Sequence, residues 1–103
     1  MMSLKQIRED LKNIKYYMSR KNIFESTCIN VGKNEILDKV NTYNEMICSA
    51  PPRLYDVYVS LYLKNNTQES LAEQLGYSLV YMSLLNSQLI KFFQDKFNKK
   101  EAV

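Results

Sequence analysis

Leu4, Ile7, Leu11, Ile14 and Met18 recur at intervals of three and four, the spacing that gathers side chains on one face of an α-helix. The apolar face is narrow, like a heptad seam. Ser3 precedes it, with a hydroxyl that can accept an orphan amide hydrogen bond and cap the start. Two packings suit such a seam: burial in the chain's own core, or a short coiled coil that would make a homodimer. Residues 25–33 hold Ser26, Thr27, Asn30 and Gly32 and predict a loop. Ile36, Val40, Tyr43 and Ile47 then predict a second helix from about Asn34, its cap, to Ser49.

Ala50-Pro51-Pro52 is the sharpest break in the chain. Pro51 drives Ala50 out of the helical region, and Pro52 suits the first position of a new helix, where a missing N–H does no harm. Leu54, Tyr55, Val57, Tyr58, Val59, Leu61, Tyr62 and Leu63 make that helix apolar nearly all round, so others should pack against it. The break divides the chain into N-terminal helices at 1–50, suited to core packing or oligomerisation, and a second unit at 51–103.

Within the second unit, Thr67 is a natural N-cap, and Glu69 sets negative charge at the positive end of the next helix. Leu71 and Leu75 lie four apart and should face inward together, with the small Ala72 beside them. Gly76 can adopt the left-handed conformation that ends a helix in a tight turn. Ser78 caps a last helix that should run to about Asn98, with Met82, Leu85 and Leu89 inward and Phe92, Phe93 and Phe97 closing the core, against the first helix if it reaches them. A small residue, a glycine four later and an apolar residue six later (Ala72, Gly76, Met82) is the helix-turn-helix pattern. The predicted fold class is all-α: a small helical domain with a long N-terminal helix and a C-terminal helix-turn-helix.

Composition narrows the function. Two glycines and two prolines in 103 residues argue against an all-β fold. With no histidine and no glycine-rich phosphate loop, no catalytic constellation is in view. Lys33 after Gly32 lacks the upstream glycine and following hydroxyl of a phosphate loop, and Tyr16-Tyr17 predicts one core and one rim aromatic. Cys28 and Cys48 form no CxxC pair and predict free thiols rather than a zinc site. No cofactor or metal is implied. The early charges Lys5, Arg8, Glu9 and Asp10 argue against a signal peptide, and the uncharged run through Gly76 to Ile90 is too short and polar to span a bilayer. A cytoplasmic protein with no membrane partner is expected.

Pro51-Pro52-Arg53 through Phe93 resembles region four of bacterial sigma factors, the module that reads the upstream promoter element. The resemblance is carried by Pro52-Arg53, the Tyr58–Leu63 stretch, Thr67-Gln68-Glu69-Ser70-Leu71-Ala72-Glu73, Leu75-Gly76-Tyr77-Ser78, Tyr81 and Leu85. The whole chain is similar to the small ArpU-type regulators of phages and integrated elements. The cues are Ile14-Lys15-Tyr16-Tyr17, Lys39-Val40-Asn41-Thr42-Tyr43-Asn44 and Ser49-Ala50-Pro51-Pro52-Arg53-Leu54-Tyr55. Both resemblances imply a transcription regulator that binds double-stranded DNA at a promoter or operator. The DNA-binding candidates are Thr67, Gln68, Ser78, Leu79, Val80, Ser83, Leu84, Ser87, Lys91 and Arg53.

The chemistry of that face pulls in two directions. Groove readers usually carry Arg, Lys, Asn or Gln, which match the hydrogen-bonding edges of bases. Here the outward positions offer serines and the aliphatics Leu79, Val80 and Leu84, with only Asn86 and Gln88 as nearby amides. Residues 65 to 90 hold no Lys or Arg but do hold Glu69 and Glu73, a net charge of −2. Phosphate contacts would then come from elsewhere: Arg53, Lys64, Lys91, Lys96, Lys99, Lys100 or the first helix. The first 21 residues carry six basic groups against two acids, which also suits a plain solvated face. The alternative is a protein-interaction module whose exposed leucines bind RNA polymerase or another protein.

Overall fold

The computed structural model describes residues 2–27 and 33–101. They form five helices: α1 (Leu4–Thr27), α2 (Lys33–Ile47), α3 (Pro52–Tyr58), α4 (Gln68–Leu75) and α5 (Leu79–Glu101), and α3 runs on into a π-helical turn, Val59–Leu63. The described residues contain no strand, so the fold class is all-α.

The seam of α1 is buried in the chain's own core. Ile7, Leu11 and Ile14 are wholly covered, and α1 packs on α2, α5 and the π-helical turn. The middle of the seam is therefore not open to a second chain, whereas Leu4 at its start is exposed. Ser3 caps it as expected, its Oγ accepting from Gln6 N–H at 3.1 Å. Tyr17 is buried and Tyr16 exposed, the core-and-rim split predicted for the pair. The helix continues through Thr27, past the residue where a loop was predicted to begin, and α2 starts at Lys33. The rest of the predicted loop, Cys28 included, lies outside the described residues. Asn34 falls inside α2 rather than capping it, and α2 ends at Ile47 with Cys48 as a free, exposed thiol.

Pro52 opens α3 as its backbone geometry requires, with Pro51 extended at φ −55°, ψ 147°. Leu54, Val57, Tyr58 and Leu61 are buried. The widened turn is marked by Lys64 N–H donating to the Val59 carbonyl at 2.8 Å, five residues back. The stretch ends at Asn65, held at φ 63°, a left-handed conformation that asparagine tolerates better than most side chains.

The aromatic residues fill the centre. Phe93 meets the Tyr43 ring edge-on at 4.7 Å and the Tyr58 ring at 5.5 Å, and Phe97 meets Tyr43 at 5.3 Å. These rings close the core against α2 and α3, and α5 also packs on α1, as the sequence pointed to. The segment just before α1 is also tied to this part of α5, through Gln94 Nε2 donating to the Met2 carbonyl at 3.2 Å.

Among the described residues one charged side chain lies inside, and no sequence pattern marked it. Asp10 is buried. Its carboxylate accepts from the Tyr43 hydroxyl at 2.7 Å and from Gln6 Nε2 at 2.9 Å, and it pairs with Lys39 Nζ at 3.1 Å. A buried charge is tolerable only when so partnered. Replacing Asp10 by Ala strands the Tyr43 hydroxyl and should destabilise the fold by about 2–4 kcal/mol in urea titrations. Asp10→Asn should lose less, because the amide can still accept from Tyr43.

Burial raises the Tyr43 phenol far above the usual tyrosine range, and the neighbouring Asp10 charge adds to the shift. Burial alone raises Tyr58, whose hydroxyl donates to Asn44 Oδ1 at 2.7 Å. Burial also raises Tyr62, against the opposing effects of its bond to Asn86 and the charge of Arg8. A raised phenol binds its proton more tightly in the folded chain than in the unfolded one. Its contribution is thus intact below the unfolded value of 10.0 and is lost as pH climbs above it. Each such group should remove about 1.4 kcal/mol of stability per pH unit above that point. Urea titrations between about pH 9 and 11 should show this decline, and Tyr58→Phe should make it shallower.

Candidate functional site

The α4–α5 unit is built from local rules that its sequence states openly. Thr67 Oγ1 accepts from Ser70 N–H at 3.0 Å and caps α4. At the other end Gly76 sits at φ 71°, ψ 27°. Tyr77 N–H donates back to the Ala72 carbonyl at 2.8 Å and Gly76 N–H to the Glu73 carbonyl at 3.3 Å, the paired bonds of a Schellman turn. Ser78 Oγ then accepts from Tyr81 N–H at 3.1 Å and opens α5. Ala72, Leu71, Met82, Leu85 and Leu89 are buried as predicted. Leu75 is not: it is 46% exposed, so the expectation that it faces inward beside Leu71 is corrected. It is the last helical residue before the turn, and the chain reverses there without covering it.

The candidate residues separate into three groups. Leu79, Val80, Ser83, Leu84 and Ser87 share the exposed side of the first turns of α5. Val80, Leu84, Ser87 and Lys91, spaced by four, three and four, form one outward stripe. At about 1.5 Å per residue, Leu79 to Ser87 spans roughly 12 Å, and Lys91 lies roughly 18 Å from Leu79. Thr67 and Gln68 stand apart at the start of α4, and the oxygens of Thr67 and Ser78 are engaged as caps. Their hydroxyl hydrogens remain able to donate. Arg53 comes from the first turn of α3 and is held on the flank of α5, its Nη1 donating to the Tyr81 hydroxyl at 2.8 Å. Tyr81 in turn meets the Tyr77 ring edge-on at 4.9 Å.

Known proteins offer no guide. The chain matches no family model, no curated protein and no solved structure. Among the described residues, no group of three His, Cys, Asp or Glu side chains could hold a metal ion, and no helix is long and apolar enough to cross a membrane. An open cleft of about 530 Å³ lies beside Arg53, lined by Pro51, Pro52, Leu54, Tyr81, Leu85 and Gln88.

Sequence reasoning missed two features of this region. Leu75 adds a fourth aliphatic to the exposed Leu79 (55%), Val80 (82%) and Leu84 (51%). The Arg53–Tyr81–Tyr77 chain was visible only as an i, i+4 pair of tyrosines, and nothing in the sequence reports a partner 28 positions away.

Space is open around Gly76: a Cβ built there meets nothing within 4 Å. Its role is therefore conformational alone. Gly76→Ala should destabilise the chain by about 1–2 kcal/mol in thermal or urea unfolding, and Gly76→Asn by less. An equal loss for both would mean that the cause is contact rather than φ.

Proposed function

We propose that this chain is a DNA-binding transcription regulator of the sigma region-four type, phage-borne or carried by a mobile element, whose α5 reads a promoter or operator in double-stranded DNA. The observation that carries this reading is the capped α4, the Gly76 turn and an α5 whose outward stripe is uncovered. The roughly 12 Å from Leu79 to Ser87 suits a major groove about 12 Å wide. Lys91, a turn further on, is then spaced to meet a phosphate at the groove edge. Ser83 and Ser87 supply hydroxyls for base edges or phosphates, and Val80 and Leu84 supply apolar contact for thymine methyls.

A second reading has one observation in its favour. Leu75, Leu79, Val80 and Leu84 are exposed around the Gly76 turn, and the preceding α4 carries Glu69 and Glu73 and no cation. Such a group suits a protein surface, RNA polymerase among the candidates.

Gel shifts with promoter fragments over a salt series separate the two. A DNA reader should be retained at about 50 mM salt and released steeply towards 200 mM. Ser83→Ala should narrow the gap between specific and unrelated fragments. No retention at the lowest salt, together with a partner contact abolished by Leu84→Asp, would assign the face to protein.

A further inference from the structure

We infer that Arg8, Lys12, Lys15 and Lys64 form a patch that grips the sugar-phosphate backbone of the duplex, supplying cations that residues 65 to 90 lack. The inference rests on the DNA-binding reading above and adds to it where the phosphates lie.

The two flanks of α1 differ in what they face. Asp10 and Gln6 lie on the flank turned to α2, where Asp10 bonds Tyr43 and Lys39. The other flank is basic. At about 100° per residue, Lys5, Arg8, Lys12 and Lys15 fall within an arc of roughly 80°. Lys5, Arg8 and Lys12 are exposed. Glu9 borders the arc beside Lys5 and leaves it net positive.

One hydrogen bond and the packing of α1 on the π-helical turn place this flank against the entry to α4. Lys15 Nζ donates to the Asn66 carbonyl at 3.2 Å, one residue before the Thr67 cap. Arg8 acts electrostatically on the Tyr62 hydroxyl, which itself donates to Asn86 on α5. Lys12 lies between these anchors, one turn from each. Lys64 is exposed two residues before Asn66 and adds a cation to the same connection. The basic flank of α1 thus borders the connection that leads into α4, and cations there offset the −2 charge of residues 65 to 90. A polyanion lying along α5 would meet positive charge at this border, and phosphate contacts need only charge and reach, not base-specific groups.

The test is the salt dependence of duplex binding, measured by fluorescence anisotropy on a fragment of unrelated sequence. Arg8→Gln, Lys12→Gln and Lys64→Gln change exposed side chains, so circular dichroism melts should match the parent chain. Each should lower the slope of log affinity against log salt by about 0.9, and the triple variant by about 2–3. Glu45→Gln, at an exposed position on α2, should leave the slope unchanged. A parent chain that binds with a steep slope equal to that of the triple variant overturns the patch and leaves α5 readout standing. A parent chain that binds no duplex at about 50 mM salt overturns both.

Discussion

The rotation of α1 about its own axis is the constraint on which the surface depends. Ile7, Leu11 and Ile14 set which side of the helix is buried, but an apolar seam alone tolerates some roll. Asp10 removes that freedom. Its carboxylate is fixed by Tyr43 and Lys39 on α2, so one flank of α1 must face α2. The flank carrying Arg8, Lys12 and Lys15 must then face the π-helical turn and the approach to α4. A buried ion pair adds little net stability once desolvation is counted. Here its effect is directional: it selects one arrangement of a helix that the hydrophobic effect alone would hold less specifically.

The α4–α5 unit is constrained differently. Its geometry comes from two hydroxyl caps and one left-handed glycine, each acting within five residues. The core below it uses Leu71, Ala72, Met82, Leu85 and Leu89. Nothing in that core needs Leu75, Leu79, Val80 or Leu84, which lie outside it. Isolated exposed leucines are ordinary on protein surfaces, but four bracketing one turn are a concentration that folding does not require. The surface of this unit therefore carries chemistry beyond what its own stability demands.

Those two kinds of constraint explain what the sequence could disclose. The seam of α1, the break at Pro51-Pro52, the Thr67 cap, the Gly76 turn and the Ser78 cap were all legible, because periodicity and capping act over a few residues. The end of α1 was misread because Ser26 and Thr27 have weak helix preference, which neighbouring structure overrode. Leu75 was misread because a four-residue period says which side chains align, not where the partner helix stops covering them. The π-helical turn at Val59–Leu63 and the Asp10–Tyr43 bond, 33 residues apart in sequence, had no local signature at all. Of the candidate site, the exposure of the α5 stripe was legible, while the tethering of Arg53 to Tyr81 was not.

The placement of charge bears most directly on what the α5 face can bind. A face that is apolar, with acids beside it and no cation before Lys91, is a poor electrostatic partner for DNA if considered alone. Within the fold it is not alone. Lys15 reaches Asn66 at the threshold of α4, Arg53 is held on the flank of α5 by Tyr81, and Lys91 ends the outward stripe. These cations come from three separate parts of the chain, and each borders the aliphatic face rather than lying within it. Affinity for a polyanion depends on how many phosphates are neutralised across the whole interface, so bordering cations count as fully as central ones. Sequence discrimination depends on the central face, and serines with aliphatics discriminate weakly. The physical expectation is a protein whose attraction to DNA, if α5 enters the groove, is set chiefly by its periphery, with the apolar centre left to thymine methyls or to a neighbouring protein on the same DNA.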